Sequence, residues 1–237
     1  MTVAVVRFPG SNCDLDTLYV LKRVLNTDVQ LVWHQERSLE SYEAAILPGG
    51  FSYGDYLRAG AIATQSPIMK GIRDMARKGK PVLGICNGFQ ILVEAGLLPG
   101  ALLRNSSLRF MCQWTMLRVE STASVITRRL EVGRVLRMPI AHNEGRYFLP
   151  ENQIEELDRR GQILLRYVNN QGLCNDESNP NGSCSSIAAI CDRTGNIIGM
   201  MPHPERASEK ILSPFHSDDG LLIFRSLLSQ IQGGMTL

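Results

Sequence analysis

The sequence predicts an α/β protein with a doubly wound, mostly parallel sheet to which antiparallel strands are added. In the first hundred residues, short apolar runs alternate with amphipathic helical segments, which is typical of parallel strands joined by crossover helices. After Pro99, strand-like segments follow one another without long helices between them, which indicates antiparallel pairing. In a sheet of this class the active crevice lies at the carboxyl ends of the parallel strands. Chemistry is therefore expected where the apolar runs of the first half end.

The first half of the chain supplies four apolar runs and three helical segments. Strands are predicted at residues 2–8, 29–33, 44–47 and 82–85. Residues 11–14 are predicted to cap a helix whose leucines share one face (Leu15, Leu18, Leu21 and Leu25). A second helix is expected to start at Pro67 and end at Gly79, and a third to start at Asn87 and end at Gly96.

The second half is predicted to hold five strands, at residues 111–119, 135–141, 163–168, 187–191 and 197–201. The last two are expected to form a hairpin. Helices are predicted at residues 151–160 and from Asp219 onward, where four apolar residues lie on one stripe (Leu221, Phe224, Leu228 and Ile231). Residues 169–183 are rich in Asn, Gly, Ser and Pro and are predicted to be a long loop. Without an internal repeat or a clean linker, residues 1–237 are expected to form a single domain.

Composition and charge disfavour several classes of protein. The 237 residues are 44% apolar with a net charge of +2, which favours a globular protein and gives no strong field for nucleic acid or an acidic membrane. No secretory signal is recognised at the start, and no apolar stretch is long enough to span a bilayer. The six cysteines form no C-x-x-C pair, so reduced thiols are expected rather than disulfides or a zinc site. These features predict a cytoplasmic protein.

Cys86 has the sequence setting of a nucleophile. It stands between the apolar run Val82–Ile85 and a helical segment, with Gly84 and Gly88 two residues away on either side. This is a Gly-x-nucleophile-x-Gly elbow, in which strand and helix cross too closely for a Cβ at the flanking positions. Unpaired N–H groups and the helix dipole would favour the thiolate. The alternative is a buried free cysteine acting as a small apolar residue, which the two glycines disfavour.

A base for this nucleophile is expected at His203, one of four histidines. His203 lies between Pro202 and Pro204, and proline pushes the residue before it toward extended backbone. Residues two apart in extended backbone point to the same side, so Glu205 is expected beside the imidazole, where it can fix the tautomer. The alternative is a surface turn with a chance histidine and glutamate. Together with the elbow, the pair indicates a Cys-His-Glu triad.

An oxyanion hole is expected from two backbone N–H groups. The elbow geometry assigns one of them to Asn87, the residue after the nucleophile. The other is predicted at Gly50, because Pro48-Gly49-Gly50 follows the third predicted strand and glycine presents its N–H without obstruction. The alternative for the glycine pair is an ordinary turn that ends a strand.

Several motifs resemble one enzyme family. Gly84-Ile85-Cys86-Asn87-Gly88-Phe89-Gln90 with Pro202-His203-Pro204-Glu205 resembles the class I, triad-type glutamine amidotransferases, which have a flavodoxin-like fold. Four further motifs resemble the glutaminase subunits of phosphoribosylformylglycinamidine synthase: residues 9–14, 48–58, 141–145 and 200–206. The resemblance runs from about Val3 to the last helix. It departs at Asn143, where the family usually has glycine, and matches loosely over residues 115–130.

The resemblance implies roles for individual residues. Cys86 would be the nucleophile, His203 the acid and base, Glu205 its orienting partner, and Gly50 and Asn87 the oxyanion donors. The glutamine pocket would be lined by Gln90 and by the loop from Phe51 to Arg58. The individual residues implied to bind glutamine are Gly49, Phe51, Ser52 and Gln90. His142 is expected to have a structural or interface role. No metal is expected in the site.

The implied reaction is hydrolysis of glutamine to glutamate and ammonia through a cysteinyl thioester. By resemblance, a synthetase subunit receives the ammonia and converts formylglycinamide ribonucleotide to formylglycinamidine ribonucleotide in purine biosynthesis, aided by a small third subunit. The chain has no Walker-type phosphate loop, so ATP and Mg are expected on the partner and no cofactor on this chain.

Two other classes stay open on the sequence. Proteins of the Pfp-type peptidase and stress-protein superfamily share the elbow, but their acidic partner of the cysteine lies early in the chain and no Pro-His-Pro-Glu follows. A non-catalytic scaffold subunit could keep the fold, although the intact Cys86, His203 and Glu205 argue against it.

Overall fold

The computed structural model describes residues 2–233 and contains one large sheet and one small sheet. The strands are β1 (Thr2–Arg7), β2 (Asp28–Trp33), β3 (Ala44–Leu47), β4 (Val82–Ile85), β5 (Ala101–Leu103), β6 (Met111–Val119), β7 (Val135–His142), β8 (Arg146–Phe148), β9 (Ile163–Val168), β10 (Ile187–Cys191) and β11 (Ile197–Met200). The α-helices are α1 (Asp14–Tyr19), α2 (Ile68–Arg77), α3 (Asn87–Glu94), α4 (Glu151–Arg159) and α5 (Asp219–Gly233).

The large sheet has nine strands in the order β2-β1-β3-β4-β11-β10-β9-β6-β7. The first five strands of this order are parallel to one another, and the remaining pairs are antiparallel. The predicted fold class, a mostly parallel sheet with antiparallel additions, is therefore confirmed. None of the described helices is long and apolar enough to cross a bilayer.

The position of β4 explains its composition. It lies between β3 and β11, and all four of its residues are buried, as an unalternated apolar run requires. The sheet pairs Gly84 with Leu47 on one side and with Gly199 on the other. The carboxyl end of β4 therefore opens at the centre of the sheet, directly before α3.

The helix after β1 differs from its prediction. Helix α1 ends at Tyr19 and continues as a π-helical turn over Val20–Val24, so its leucines do not share one face. Leu15 is 56% exposed while Leu21 is buried. The predicted side-chain cap is also wrong: Cys13 occupies the N-cap position without a capping side-chain bond, and the Thr17 hydroxyl donates to the Cys13 carbonyl oxygen instead.

Most other predicted elements are confirmed to within two residues, including the antiparallel hairpin of β10 and β11 and the irregular segment after β9. The sequence interpretation missed the small sheet, in which β5 and β8 pair antiparallel. Each of these strands has only three residues, which is too short for an alternating pattern to be recognised. The small sheet leads into the segment at residues 141–145, which borders the site described next.

Candidate active site

Cys86 occupies a strained turn between β4 and α3. Its backbone has φ 50° and ψ −103°, a conformation that non-glycine residues rarely adopt. A Cβ on Gly84 would lie 2.6 Å from the carbonyl carbon of Gly88, and one on Gly88 would collide with the carbonyl oxygen of Leu47. The close crossing that the Gly-x-Cys-x-Gly pattern predicts is thus present. Backbone strain of this kind costs about 1–3 kcal/mol and persists where the surroundings enforce it.

The surroundings of the Cys86 thiol are closed and partly polar. The residue is 4% exposed, and its N–H donates to the Met200 carbonyl oxygen at 2.7 Å. Its thiol donates a weak hydrogen bond to the carbonyl oxygen of Ala141, near the end of β7, with Sγ 3.7 Å from that oxygen. Cys86 also stands at the N-terminus of α3, where unpaired N–H groups and the positive end of the helix dipole can stabilise a negative charge.

His203 and Glu205 form a buried hydrogen-bonded pair. Nδ1 of His203 and Oε1 of Glu205 are 2.6 Å apart, and the two residues are 1% and 2% exposed. The backbone of His203 is extended, as predicted, and its N–H donates to the Pro139 carbonyl oxygen at 2.8 Å. Glu205 differs, because it lies in a 3₁₀ turn that begins at Pro204. That turn, rather than a continuous extended run, brings the carboxylate to the ring.

The environment favours the protonated form of His203. Burial lowers the pKa of His203, but the Glu205 carboxylate and the nearby Cys86 sulfur outweigh burial and hold that pKa well above its ordinary value. A carboxylate on Nδ1 fixes the proton there and leaves Nε2 for chemistry. Nε2 has no hydrogen-bond partner among residues 2–233. The pair can therefore accept a proton on Nε2 and stabilise the resulting imidazolium.

Two residues that the sequence interpretation did not place in the site contact this pair. The sulfur of Cys13 lies within 4.8 Å of ligand atoms of both His203 and Glu205, and Arg206 Nη2 donates to that sulfur at 2.9 Å. Arg206 Nε is also 4.0 Å from Glu205 Oε1. In the sequence, only their positions could have suggested that these residues belong to the site. Cys13 lies in the Pro9–Asp14 motif, and Arg206 directly follows Glu205.

The donor types of Cys13, His203 and Glu205 suit a zinc ion. The contacts in place disfavour one, because the Arg206 guanidinium lies against the Cys13 sulfur and a proton bridges Nδ1 and Oε1. A cation here would face that guanidinium and would have to displace the bridging proton. The site is therefore better suited to proton transfer than to metal binding.

Gly50 and Asn87 both present backbone N–H groups that the protein leaves available. Gly50 has φ 150°, and a Cβ there would lie 2.6 Å from the Asn12 nitrogen, so only glycine fits against the loop before α1. Its N–H donates to no acceptor among the described residues. Asn87 is the first residue of α3, where N–H groups have no acceptor within the helix.

Two of the predicted pocket residues, Ser52 and Gln90, are linked by hydrogen bonds through the side chain of Asn87. The Ser52 N–H donates to Asn87 Oδ1 at 3.2 Å, and Asn87 Nδ2 donates to Gln90 Oε1 at 2.9 Å. Gln90 Nε2 then donates to the carbonyl oxygen of Glu144 at 2.6 Å. Both ends of the Gln90 amide are thus engaged with the chain itself, so Gln90 can act by holding Asn87 in place.

The loop that follows Gly50 is half-exposed and strained. Phe51 is 41% exposed and packs against Phe110 with ring centroids 6.3 Å apart. Tyr53, Asp55 and Leu57 all have positive φ. Burial, and then the nearby Glu144 carboxylate, raise the pKa of Asp55 to about 6. Gly49 borders the other side of the site, since a Cβ there would lie 2.6 Å from His203 Cε1.

Sequence comparison gives this geometry a family context. Residues 1–228 match the family described as the CobB/CobQ-like glutamine amidotransferase domain. A protein of Aquifex aeolicus named phosphoribosylformylglycinamidine synthase subunit PurQ is 56% identical over 229 residues, which are 97% of this chain and 100% of the relative. The protein of the same name from Methanosarcina acetivorans is 51% identical, with 98% of each chain covered.

Comparison with solved structures leads to the same family. A chain of the structure of PurLQS from Thermotoga maritima matches with a TM-score of 0.85 at 42% identity, over 97% of this chain and 98% of that one. A glutamine amidotransferase from T. maritima matches with a TM-score of 0.62 at 18% identity, which is a likeness of fold alone. The chain therefore belongs to the family of CobB/CobQ-like glutamine amidotransferase domains, together with the PurQ subunits of phosphoribosylformylglycinamidine synthase.

Proposed function

We propose that this chain is the glutaminase subunit of a phosphoribosylformylglycinamidine synthase, and that it forms a single glutaminase domain. It hydrolyses glutamine to glutamate and ammonia and supplies the ammonia to a synthetase subunit that aminates formylglycinamide ribonucleotide. The observation that carries the proposal is the combination of Cys86 on a strained strand-to-helix turn with the buried His203–Glu205 pair. A cysteine next to a carboxylate-oriented imidazole is the arrangement of an activated acyl-transfer nucleophile.

In the first step the Cys86 thiolate attacks the side-chain carboxamide of glutamine. The helix N-terminus and the His203 imidazolium favour the thiolate. The oxyanion that forms is held by the N–H groups of Gly50 and Asn87. Donors already in place stabilise this charge more strongly than water does, because they need no reorganisation.

In the second step the imidazolium of His203 gives its Nε2 proton to the departing ammonia, and a glutamyl thioester remains on Cys86. The neutral ring then takes a proton from water, whose oxygen attacks the thioester. Collapse of the second oxyanion expels the Cys86 thiolate and releases the new carboxylic acid, which loses its proton to solvent as glutamate. The thiolate and imidazolium with which the cycle began are thereby restored. Glu205 keeps the proton on Nδ1 throughout, so the same ring nitrogen serves both steps.

We assign the glutamine pocket to Gly49, Phe51 and Ser52, from the segment after β3, and to Gln90 on α3. Ser52 is supported by its position, since its N–H contacts the Asn87 side chain and its hydroxyl is buried without a partner among the described residues. Cys86 is nearly inaccessible in this state, so glutamine entry requires movement near the strained loop at residues 53–57.

The proposed partners are a synthetase subunit and a small third subunit. The PurLQS structure from T. maritima supports this, because its name describes a complex that contains a relative of this chain. We place ATP and Mg on the synthetase subunit and propose that this chain uses neither a cofactor nor a metal. The proposed location is the cytoplasm, where purine precursors are made.

The test is a Cys86→Ala variant assembled with the synthetase. We expect it to lose glutamine-dependent synthesis and glutamate formation while still using added ammonium chloride, because only the ammonia source is removed. The matched control is Cys112→Ala, which changes an exposed cysteine and is expected to behave as wild type. Normal glutamate formation by Cys86→Ala would show that the nucleophile is assigned to the wrong residue.

A further inference from the structure

His142, at the end of β7, has a buried nitrogen that nothing in the mechanism above uses. The residue is 2% exposed. Its Nε2 is fully buried and has no hydrogen-bond partner among residues 2–233. Buried polar atoms are nearly always paired, so an unpaired one near a reaction centre calls for a physical reason.

The hydrogen bonds of Asn105 determine which nitrogen of His142 carries the proton. Asn105 Nδ2 donates to the carbonyl oxygens of Arg109 and His142, each at 2.9 Å, so its Oδ1 faces the other way. Oδ1 accepts from the Gly145 N–H at 3.1 Å and lies 3.1 Å from His142 Nδ1. Nδ1 must therefore donate, and the neutral ring presents Nε2 as a bare acceptor.

The segment that carries His142 lies against the nucleophile. The preceding residue, Ala141, accepts the 3.7 Å contact from Cys86 Sγ, and Glu144 accepts from Gln90 in the first turns of α3. Gly145 packs on the imidazole so closely that a Cβ there would lie 2.5 Å from Nε2. The ring is thus held in one orientation beside the reaction centre. A molecule bound at Nε2 requires Gly145 to move aside, just as entry of glutamine to the buried Cys86 requires movement.

The ring also stays uncharged at any working pH. Burial, and then the nearby His203, lower the pKa of His142 to about 3. A neutral imidazole of this kind accepts a hydrogen bond but supplies no proton. The Tyr167 hydroxyl, which is buried near Cys86, does not satisfy it, because no hydrogen bond joins that hydroxyl to His142 Nε2.

We propose that His142 Nε2 is the first binding site of the released ammonia, accepting one of its N–H groups and holding it as NH₃ before transfer to the synthetase. This inference rests on the proposed function. Ammonia offers three N–H donors and one lone pair. An acceptor that cannot protonate that lone pair keeps ammonia nucleophilic, whereas a carboxylate would favour ammonium.

The decisive variant is His142→Asn in the complex with the synthetase. Asparagine places its amide nitrogen where Nδ1 stands, so the donation to Asn105 is kept and only the Nε2 acceptor is lost. We expect the amidated product formed per glutamate to fall about five-fold, the effect of one neutral hydrogen bond, while free ammonia appears in the medium. Synthesis from added ammonium chloride is expected to stay at the wild-type rate.

Two further variants control this result. His142→Gln extends an amide to the Nε2 position and should restore much of the product-to-glutamate ratio. His216→Asn changes an exposed histidine with positive φ, which asparagine tolerates, and should leave the ratio unchanged. A wild-type ratio in His142→Asn would overturn the proposal, and so would a parallel loss of glutamate and product. Failure of the proposed function would show separately, as glutamate formation that survives Cys86→Ala.

A second measurement does not depend on turnover. In the full chain labelled with ¹⁵N-histidine, NMR at neutral pH should show His142 protonated on Nδ1 with a bare Nε2. Its Nε2 signal should shift when ammonium chloride is added to the wild type. A proton on Nε2, or no response to ammonium chloride, would contradict the assignment.

Discussion

Replacing Glu205 with glutamine tests the charge of the His203–Glu205 pair while its shape is kept. The carboxylate is 2% exposed, so solvent does not screen it, and its Oε1 lies 2.6 Å from His203 Nδ1. The change removes the negative charge that contributes most to compensating the cost of burying the charged imidazolium of His203. We therefore expect the pKa of His203 to fall, which leaves less imidazolium to stabilise the Cys86 thiolate at neutral pH.

The size of the effect follows from the geometry of the pair. Two unit charges with centres about 4 Å apart attract by about 4 kcal/mol at an effective dielectric constant of about 20. About 1.4 kcal/mol corresponds to a factor of ten in rate. Without the carboxylate, the imidazolium loses this attraction and has to form at that cost before the thiolate can attack. Glu205→Gln should therefore lower kcat/KM for glutamine by up to about 10³-fold.

The assay is glutamate release by the assembled enzyme over a range of pH, compared with synthesis from added ammonium chloride. The ammonium-dependent rate should not change, which separates a catalytic defect from a failure to assemble. Glu209→Gln is the matched control, because Glu209 is a partly exposed carboxylate on the same segment. A Glu205→Gln enzyme within three-fold of wild type, with an unchanged pH profile, would refute the reasoning.

Three further changes give distinct outcomes. Gly88→Ala should destabilise the fold by about 1–3 kcal/mol, because its Cβ meets the Leu47 carbonyl; an unchanged urea midpoint would contradict this. Gly50→Ala should lower the turnover number about 100-fold by displacing the proposed oxyanion donor, as steady-state kinetics can show. Because the pKa of Asp55 is raised in the folded state, the folded protein binds the Asp55 proton more tightly than the unfolded chain does. Protonated Asp55 therefore favours folding at low pH, and this contribution to the free energy of unfolding is lost as pH rises from about 4 to about 6. Asp55→Asn should remove that loss, seen as a smaller difference between urea midpoints at pH 4 and pH 7.

The elbow was predictable from the sequence because its cause is local. Gly84 and Gly88 are needed within two residues of Cys86, and the apolar run before them fixes the strand. Pro204 likewise acts on its immediate neighbour, His203. The extended backbone predicted for Glu205 is wrong, because Pro204 begins a 3₁₀ turn there. Proline is compatible with the first turn of a helix as well as with an extended segment.

The parts that escaped prediction depend on distant contacts. Cys13 and Arg206 are 193 residues apart in sequence, and neither carries a local signal for their meeting. The π-helical turn after α1 depends on packing against the sheet, which leucine spacing alone does not record. The tautomer of His142 depends on Asn105, which becomes its neighbour only when the small sheet forms.

The close approach around the elbow has a consequence for anyone who would transplant this chemistry. Copying only the thiol, the imidazole and the carboxylate onto another scaffold would not reproduce the close crossing of β4 and α3. That crossing depends on the absence of side chains at Gly84 and Gly88. In a saturation mutagenesis experiment, positions 84 and 88 should tolerate as little as the reactive sulfur itself. Such intolerance would show that the space beside residues 84 and 88 cannot accommodate even a Cβ atom.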